Sequence, residues 1–335
     1  MRTLAIIFIA HVAVRVCLSS SSPSSQVDSA LASVSSLKPE VRSDILLQLA
    51  LGNSYSPAQR ERIIEEAFTD ADGAQYKYPE RVKAGSSSDS LAGIRAQAFA
   101  LGLDSLSLKT RAVRELLKWN SRRAVELFTA ISRPALPASS CADTSFPDIS
   151  SYYDVLATLL SSSKVPPQTS ASLAALANPT APMVPDIVSL LGLLGHAGIP
   201  DTAFDEVLGY LLAAFPRVSA NTEALGLLFP EMGDAFQTGI RAVYLRRRSN
   251  ITLLSAIRSF LVVQIQGTAC TYNGGLAQYK LMRDRLVNTY NTRLVTIRYP
   301  NDGPFEGLTV TALKPSATKV AASNLSLFAN TDANC

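Results

Sequence analysis

Apolar residues recur at helical spacing along most of this 335-residue chain, up to about residue 290. In SLKPEVRSDILLQLALG, Pro39 suits a first helical turn and Gly52 a stop. Val41, Ile45, Leu46 and Leu49 form one apolar stripe between them. After the short connection NSY comes SPAQRERIIEEAF, where Ser56 and Gln59 flank Pro57 as a capping box. Ile63, Ile64, Ala67 and Phe68 make its buried face, with Arg60, Glu61 and Glu65 expected to face water. The two spans predict an antiparallel helical hairpin.

A second hairpin is expected about seventy residues later, in SLKTRAVRELLKWNSRRAVELFTAI. Residues 36–38 and 107–109 share the triplet Ser-Leu-Lys, RSDILL parallels RAVRELL, and RIIEEAFT parallels RAVELFT. SSSDSLAGIRAQAFALG supplies a helix between the hairpins and ends at Gly102. A helical hairpin cannot cover its own apolar face, so repeated hairpins predict an all-α stack, solenoid-like or irregular.

Proline and serine interrupt the pattern over residues 133–147, with Pro134, Pro137, Cys141 and Pro147. Beyond it, ISSYYDVLATLLSS, PQTSASLAALAN, PDIVSLLGLLGHAG, PDTAFDEVLGYLLAAF and NTEALGLLF read as helices divided by prolines and glycines. Two longer helical patterns follow at roughly 231–248 and 250–265, then a last one in GGLAQYKLMRDRLVNTYN. TRLVTIRYP and EGLTVTALKP alternate around NDGP, which fits a small C-terminal β-hairpin or an extended tail. The organisation read from the chain is a signal peptide over 1–19, a helical-hairpin region over 20–132, a linker over 133–147, a second helical region over 148–290 and a tail over 291–335.

The composition adds a compartment. Arg2 followed by the apolar run at residues 4–14 and small residues at 19–22 reads as a secretory signal peptide. The run is too short for a membrane span, so a mature chain with no transmembrane segment is expected. Cys17 offers lipidation as an alternative, but Val16 stands where a lipoprotein signal has a small residue. Loss of Arg2 and Arg15 would lower the formal charge from +4 by two. That balance argues against a nucleic-acid partner. Apolar residues are 47% of the chain and charged ones 17%, which supports a sizeable core. Of the remaining cysteines, Cys141 and Cys270 are the expected disulfide, with Cys335 left over. Closing so long a loop would stabilise the fold by roughly 4–5 kcal/mol.

Candidate chemistry is sparse. FTDADGAQYKYPE resembles a calcium loop until its ligand positions are counted. With Gly73 at position 6, positions 1 and 12 are Phe68 and Pro79; starting at Asp70, positions 5 and 12 are Ala74 and Arg81. Both registers fail, and Gly73 is expected instead to end a helix in left-handed geometry. His196, in a helix-end pattern, is the only histidine beyond the signal peptide, so neither a histidine metal site nor a Ser-His-Asp triad is expected. Glu61, Glu65 and Glu66, and Asp201, Asp205 and Glu206, lie on single helix faces rather than across a cleft, as solvated charges. Arg241, Arg246, Arg247 and Arg248, with Arg258 nearby, form the densest basic region, either completing a helix C-terminus or meeting an anionic surface. Asn250 and Asn324 head glycosylation sequons.

LKPEVRSDILLQLA, SPAQRERIIEEAF, SLKTRAVRELLKWNSRRAVELF and CADTSFPDISSYY together resemble uncharacterised exported bacterial helical proteins, over about the first half of the chain. The resemblance implies no activity and no site. The expected function is an exported, non-catalytic scaffold or protein- or peptide-binding module with an envelope or extracellular partner. No catalytic residue and no cofactor are expected for it. The alternatives are an envelope hydrolase using groove carboxylates and a binder of anionic surfaces through residues 246–248.

Overall fold

The computed structural model describes residues 23–52, 54–82, 91–136, 145–218 and 222–266. The expected signal segment, all four cysteines, Asn324 and the C-terminal β-hairpin lie outside these residues. The described chain is all-α, with twelve α-helices and one short two-stranded ribbon.

The first hairpin forms as its sequence predicts. Helices α2 (Pro39–Leu51) and α3 (Pro57–Asp70) pack together, burying Leu46, Leu47, Ile63, Ile64 and Ala67. The capping box is closed: Gln59 N–H donates to Ser56 Oγ at 3.4 Å, and Ser56 N–H to Gln59 Oε1 at 2.8 Å. The buried face of α2 is rotated from the predicted stripe. Ser43, Leu46, Leu47 and Ala50 are buried, whereas Val41 is 37% exposed. Small Ser43 lets the helices approach, and its Oγ donates to Ala67 O at 2.7 Å. Arg42, beside it, binds Asp70 and Glu66 of α3. Polar contacts thus turn the helix away from its most hydrophobic side.

Two further expectations for this hairpin are corrected. Arg60 is buried rather than facing water, because its guanidinium packs over the Trp119 ring. Gly73 is not left-handed. It closes a 3₁₀ turn, Ala71–Gly73, that follows α3. A Cβ there would lie 3.0 Å from two side-chain carbons of Pro39, so the glycine permits contact with the start of α2. Helix α1 (Pro23–Val34), not foreseen from the sequence, buries Val27 and Val34. Val27, Leu31 and Val34 were its periodic signal.

Helix α4 (Leu91–Phe99) ends near Gly102, where the pattern is expected to stop, and Gly102 takes a left-handed φ of +63°. The second hairpin is α5 (Ser105–Leu117) and α6 (Ser121–Ala130), capped by Asp104 and Asn120. The shared Ser-Leu-Lys triplets are not equivalent. Lys38 is the N-cap of α2, while residues 107–109 lie inside α5 and Leu108 is fully buried.

Seven elements complete the described chain: α7 (Ser150–Ser161), α8 (Pro167–Ala175), α9 (Val184–Leu194), α10 (Asp201–Ala214), a 3₁₀ turn (Phe215–Arg217), α11 (Thr222–Leu245) and α12 (Asn250–Gln266). Helix α11 joins two patterns that the sequence separates after Phe229, and it runs through Pro230. A mid-helix proline removes one backbone hydrogen bond. Burial of Met232, Phe236, Ile240 and Val243 along the same helix opposes that cost.

Contacts run along the chain, α3 to α5, α5 to α7, α7 to α9, α9 to α11 and α11 to α12. An aromatic cluster joins the two parts of the chain, with Phe128 of α6 5.0 Å from Tyr152 of α7 and Tyr152 5.4 Å from Tyr153. Strands β1 (Glu80–Val82) and β2 (Ser145–Pro147) pair antiparallel, Glu80 opposite Pro147. The end of the proline-rich segment is therefore stitched to the loop after the first hairpin.

Candidate functional site

Of the carboxylates singled out from the sequence, Glu61, Glu65, Glu66, Asp201 and Asp205 are engaged by cations or amides of neighbouring elements, and Glu206 is half-buried on α10. Asn120 Nδ2 donates to Glu61 Oε1 at 2.9 Å, Arg123 binds Glu65, and Arg42 Nη2 reaches Glu66 Oε1 at 3.3 Å. Asp44 meets Arg111 at 2.7 Å, and Asp72 meets Lys109. Four of these contacts, Glu61–Asn120, Glu65–Arg123, Asp44–Arg111 and Asp72–Lys109, join the first hairpin and its 3₁₀ turn to the second. Glu126 and then Glu65 hold the Arg123 guanidinium above its ordinary range. On α10, Asp201 pairs with Arg246 at 2.5 Å, and Asp205 takes both Nε and Nη2 of Arg248 at 2.6 and 2.7 Å. Arg248 accordingly holds the Asp205 carboxyl below its usual value.

The basic region closes the C-terminus of α11. Arg247 N–H donates to Tyr244 O at 2.9 Å and Arg248 N–H to Val243 O at 3.0 Å, with Arg247 at φ 55°. That is a Schellman motif with arginine where glycine is usual. Arg246 also donates to Ile199 O at 2.8 Å and stacks 4.4 Å over Phe204. Two of the four candidate arginines, Arg246 and Arg248, are thus tied to α10 and the turn before it. Arg241 and Arg247 remain exposed, and Arg258 is half-buried on α12. His196 is exposed just past α9, its N–H bound to Leu193 O at 3.1 Å.

Three polar features were missed from the sequence, two because the side chains they meet are distant in it and one because only the fold buries it. Tyr153 OH donates to Asp186 Oδ1 at 3.0 Å, and Arg133 Nη2 reaches the same oxygen at 2.5 Å. Met183 N–H donates to Asp186 Oδ2 at 2.9 Å. Burial, with Asp186 alongside, pushes the Tyr153 hydroxyl far above its ordinary range; burial takes that of Tyr152 up to about 12. Asp104, 1% exposed, accepts from Ser107 N–H at 2.9 Å through Oδ1, while Oδ2 has no hydrogen-bond partner. Burial raises its pKa; burial, and then the Asp104 charge, raises that of nearby Tyr78. The third feature is Trp119, half-exposed at the α5–α6 turn.

Where β2 leads into α7, Arg81 Nε donates to Asp148 Oδ2 at 2.8 Å. Burial alone would raise the Asp148 carboxyl; Arg81 outweighs it and holds it low. The depression beside this pair, also lined by Pro185 and Ser189, has room for about one water, far below the size of a substrate pocket. Among the described residues, no group of three or more His, Cys, Asp or Glu side chains is placed to hold a metal, and no helix is long and apolar enough to cross a membrane. No family model, curated protein or solved structure matches the chain.

Proposed function

We propose that the chain is an exported, non-catalytic helical scaffold or protein- or peptide-binding module of the cell envelope or its exterior. The observation that carries this reading is the engagement of Glu61, Glu65, Glu66, Asp201 and Asp205 in contacts between elements. Groups that would serve a hydrolase as acid and base serve here as mortar between helices. Stacked helical hairpins as a class form extended surfaces that suit recognition of other chains, and it is by this analogy that the packing here points to binding. Export rests on the apolar run at residues 4–14 behind Arg2.

Capture from envelope extract on the immobilised mature chain, followed by mass spectrometry, tests the reading. A reproducible protein partner is the expected result. Hydrolysis of a glycan or peptide library, lost on Glu65→Gln or Asp205→Asn, would replace the proposal with the hydrolase reading. Sequencing the N-terminus of the secreted protein tests export, with cleavage expected near Ser19.

A further inference from the structure

We propose that the edge formed by the α2–α3, α5–α6 and α7–α8 turns docks an acidic peptide segment, with Trp119 as its anchor. This rests on the binding-module reading and gives it a place and a partner chemistry. Trp119 is the chain's single tryptophan and is 50% exposed. The turn does not require it, since Asn120 alone caps α6. The ring is nevertheless held firmly. The Arg60 guanidinium lies 4.7 Å from its centroid, and Arg60 Nε donates to Tyr55 O at 2.9 Å. A large aromatic fixed before binding loses little conformational freedom on contact, which is the property of an interface anchor.

The neighbouring turns are stitched to this one and bring cations. Lys164 Nζ donates to Lys118 O at 3.0 Å, and Ser121 Oγ donates to Lys164 O at 2.8 Å. The Lys118 side chain is 54% exposed and that of Arg122 90%. Their pairs with Glu115 and Glu126 are solvent-screened and hold them weakly. An extended segment carrying carboxylates around one apolar residue matches this arrangement. The apolar group covers the open part of the indole while the acids meet Lys118, Lys164 and Arg122.

Trp119 also reports on this edge alone, because no other tryptophan contributes to emission. The full mature chain is titrated with a glutamate-rich peptide containing one leucine, with a lysine-rich peptide of equal length, and with heparin. The expected result is a change in Trp119 emission with the acidic peptide only, weakening as salt is raised. Apparent affinity should fall about tenfold in a Lys118→Ala/Lys164→Ala variant whose circular dichroism is unchanged. No emission change with the acidic peptide overturns the proposal. An equal response to heparin overturns the peptide in favour of a polyanion. A partner captured from extract equally well by wild type and the double variant removes this surface while leaving the binding-module reading standing.

Discussion

Asp104 and Arg247 are the residues at which local chemistry and tertiary setting conflict. Asp104 caps α5 with one oxygen and buries the other unpaired. Its folded-state pKa is raised above 3.8, chiefly by burial. Below 3.8 both states hold the proton and the group costs nothing. As pH rises, the unfolded chain ionises first, so stability falls until the folded carboxyl also ionises. Asp104→Asn keeps the cap and removes the charge. Thermal melts should show equal stability at strongly acidic pH and a growing advantage for the variant toward neutrality. Arg247 sits in left-handed geometry, which costs a residue with a Cβ about 1 kcal/mol. Arg247→Gly keeps both Schellman hydrogen bonds and should raise the urea midpoint by an amount equivalent to about 0.5–1 kcal/mol. A lowered midpoint would show that the arginine side chain matters more than its backbone.

At the scale of elements, glycines separate exposed helix surface from close packing. Nothing lies within 4 Å of a Cβ built on Gly192 of α9 or Gly209 of α10. Alanine at either should stabilise by roughly 0.5–1 kcal/mol through helix propensity. At Gly195, just past α9, the same Cβ would meet Thr238 Cγ2 at 2.0 Å, and at Gly239 of α11 it would meet Leu191 Cδ2 at 2.6 Å. Gly195→Ala should therefore force α9 and α11 apart and cost about 1–3 kcal/mol. Denaturant melts of Gly192→Ala and Gly195→Ala should move in opposite directions, although the glycines lie three positions apart. Equal shifts would mean that α9 and α11 do not meet where the glycines place them.

In the whole molecule, the stretch from Arg133 to Asp148 is both a break in the pattern and a join. Asp186 gathers Arg133, Tyr153 and Met183 N–H, fastening the chain after α6 to α7 and α9. Its removal would leave the Arg133 guanidinium, whose side chain is only 19% exposed, without its carboxylate. Asp186→Ala should cost about 3–5 kcal/mol, the scale of breaking a buried ion pair from one side. Differential scanning calorimetry is the measurement. A single transition shifted downward is expected, and an unshifted transition would show that Asp186 does not fasten the two parts.

Local interactions made much of the architecture readable. The Ser56–Gln59 capping box, the Pro39 and Pro57 starts, the stop at Gly102 and the helices of both hairpins depend on residues within a few positions of one another, so sequence alone determined them. The failure of the calcium loop was equally decided by counting along the chain. Which face of α2 is buried was not legible, because Ser43 and Arg42 choose it through α3. Helix α11 persists through Pro230 because its following turns are buried in the tertiary core. The acidic residues looked like solvated faces; only the fold set Glu65 against Arg123 and Asp205 against Arg248. Asp186 and Trp119 gave no local signal, since the side chains they meet lie 33 and more residues away along the chain. Short-range hydrogen bonding and periodicity are written in neighbouring residues, whereas charge pairing and close packing exist only once distant helices have met.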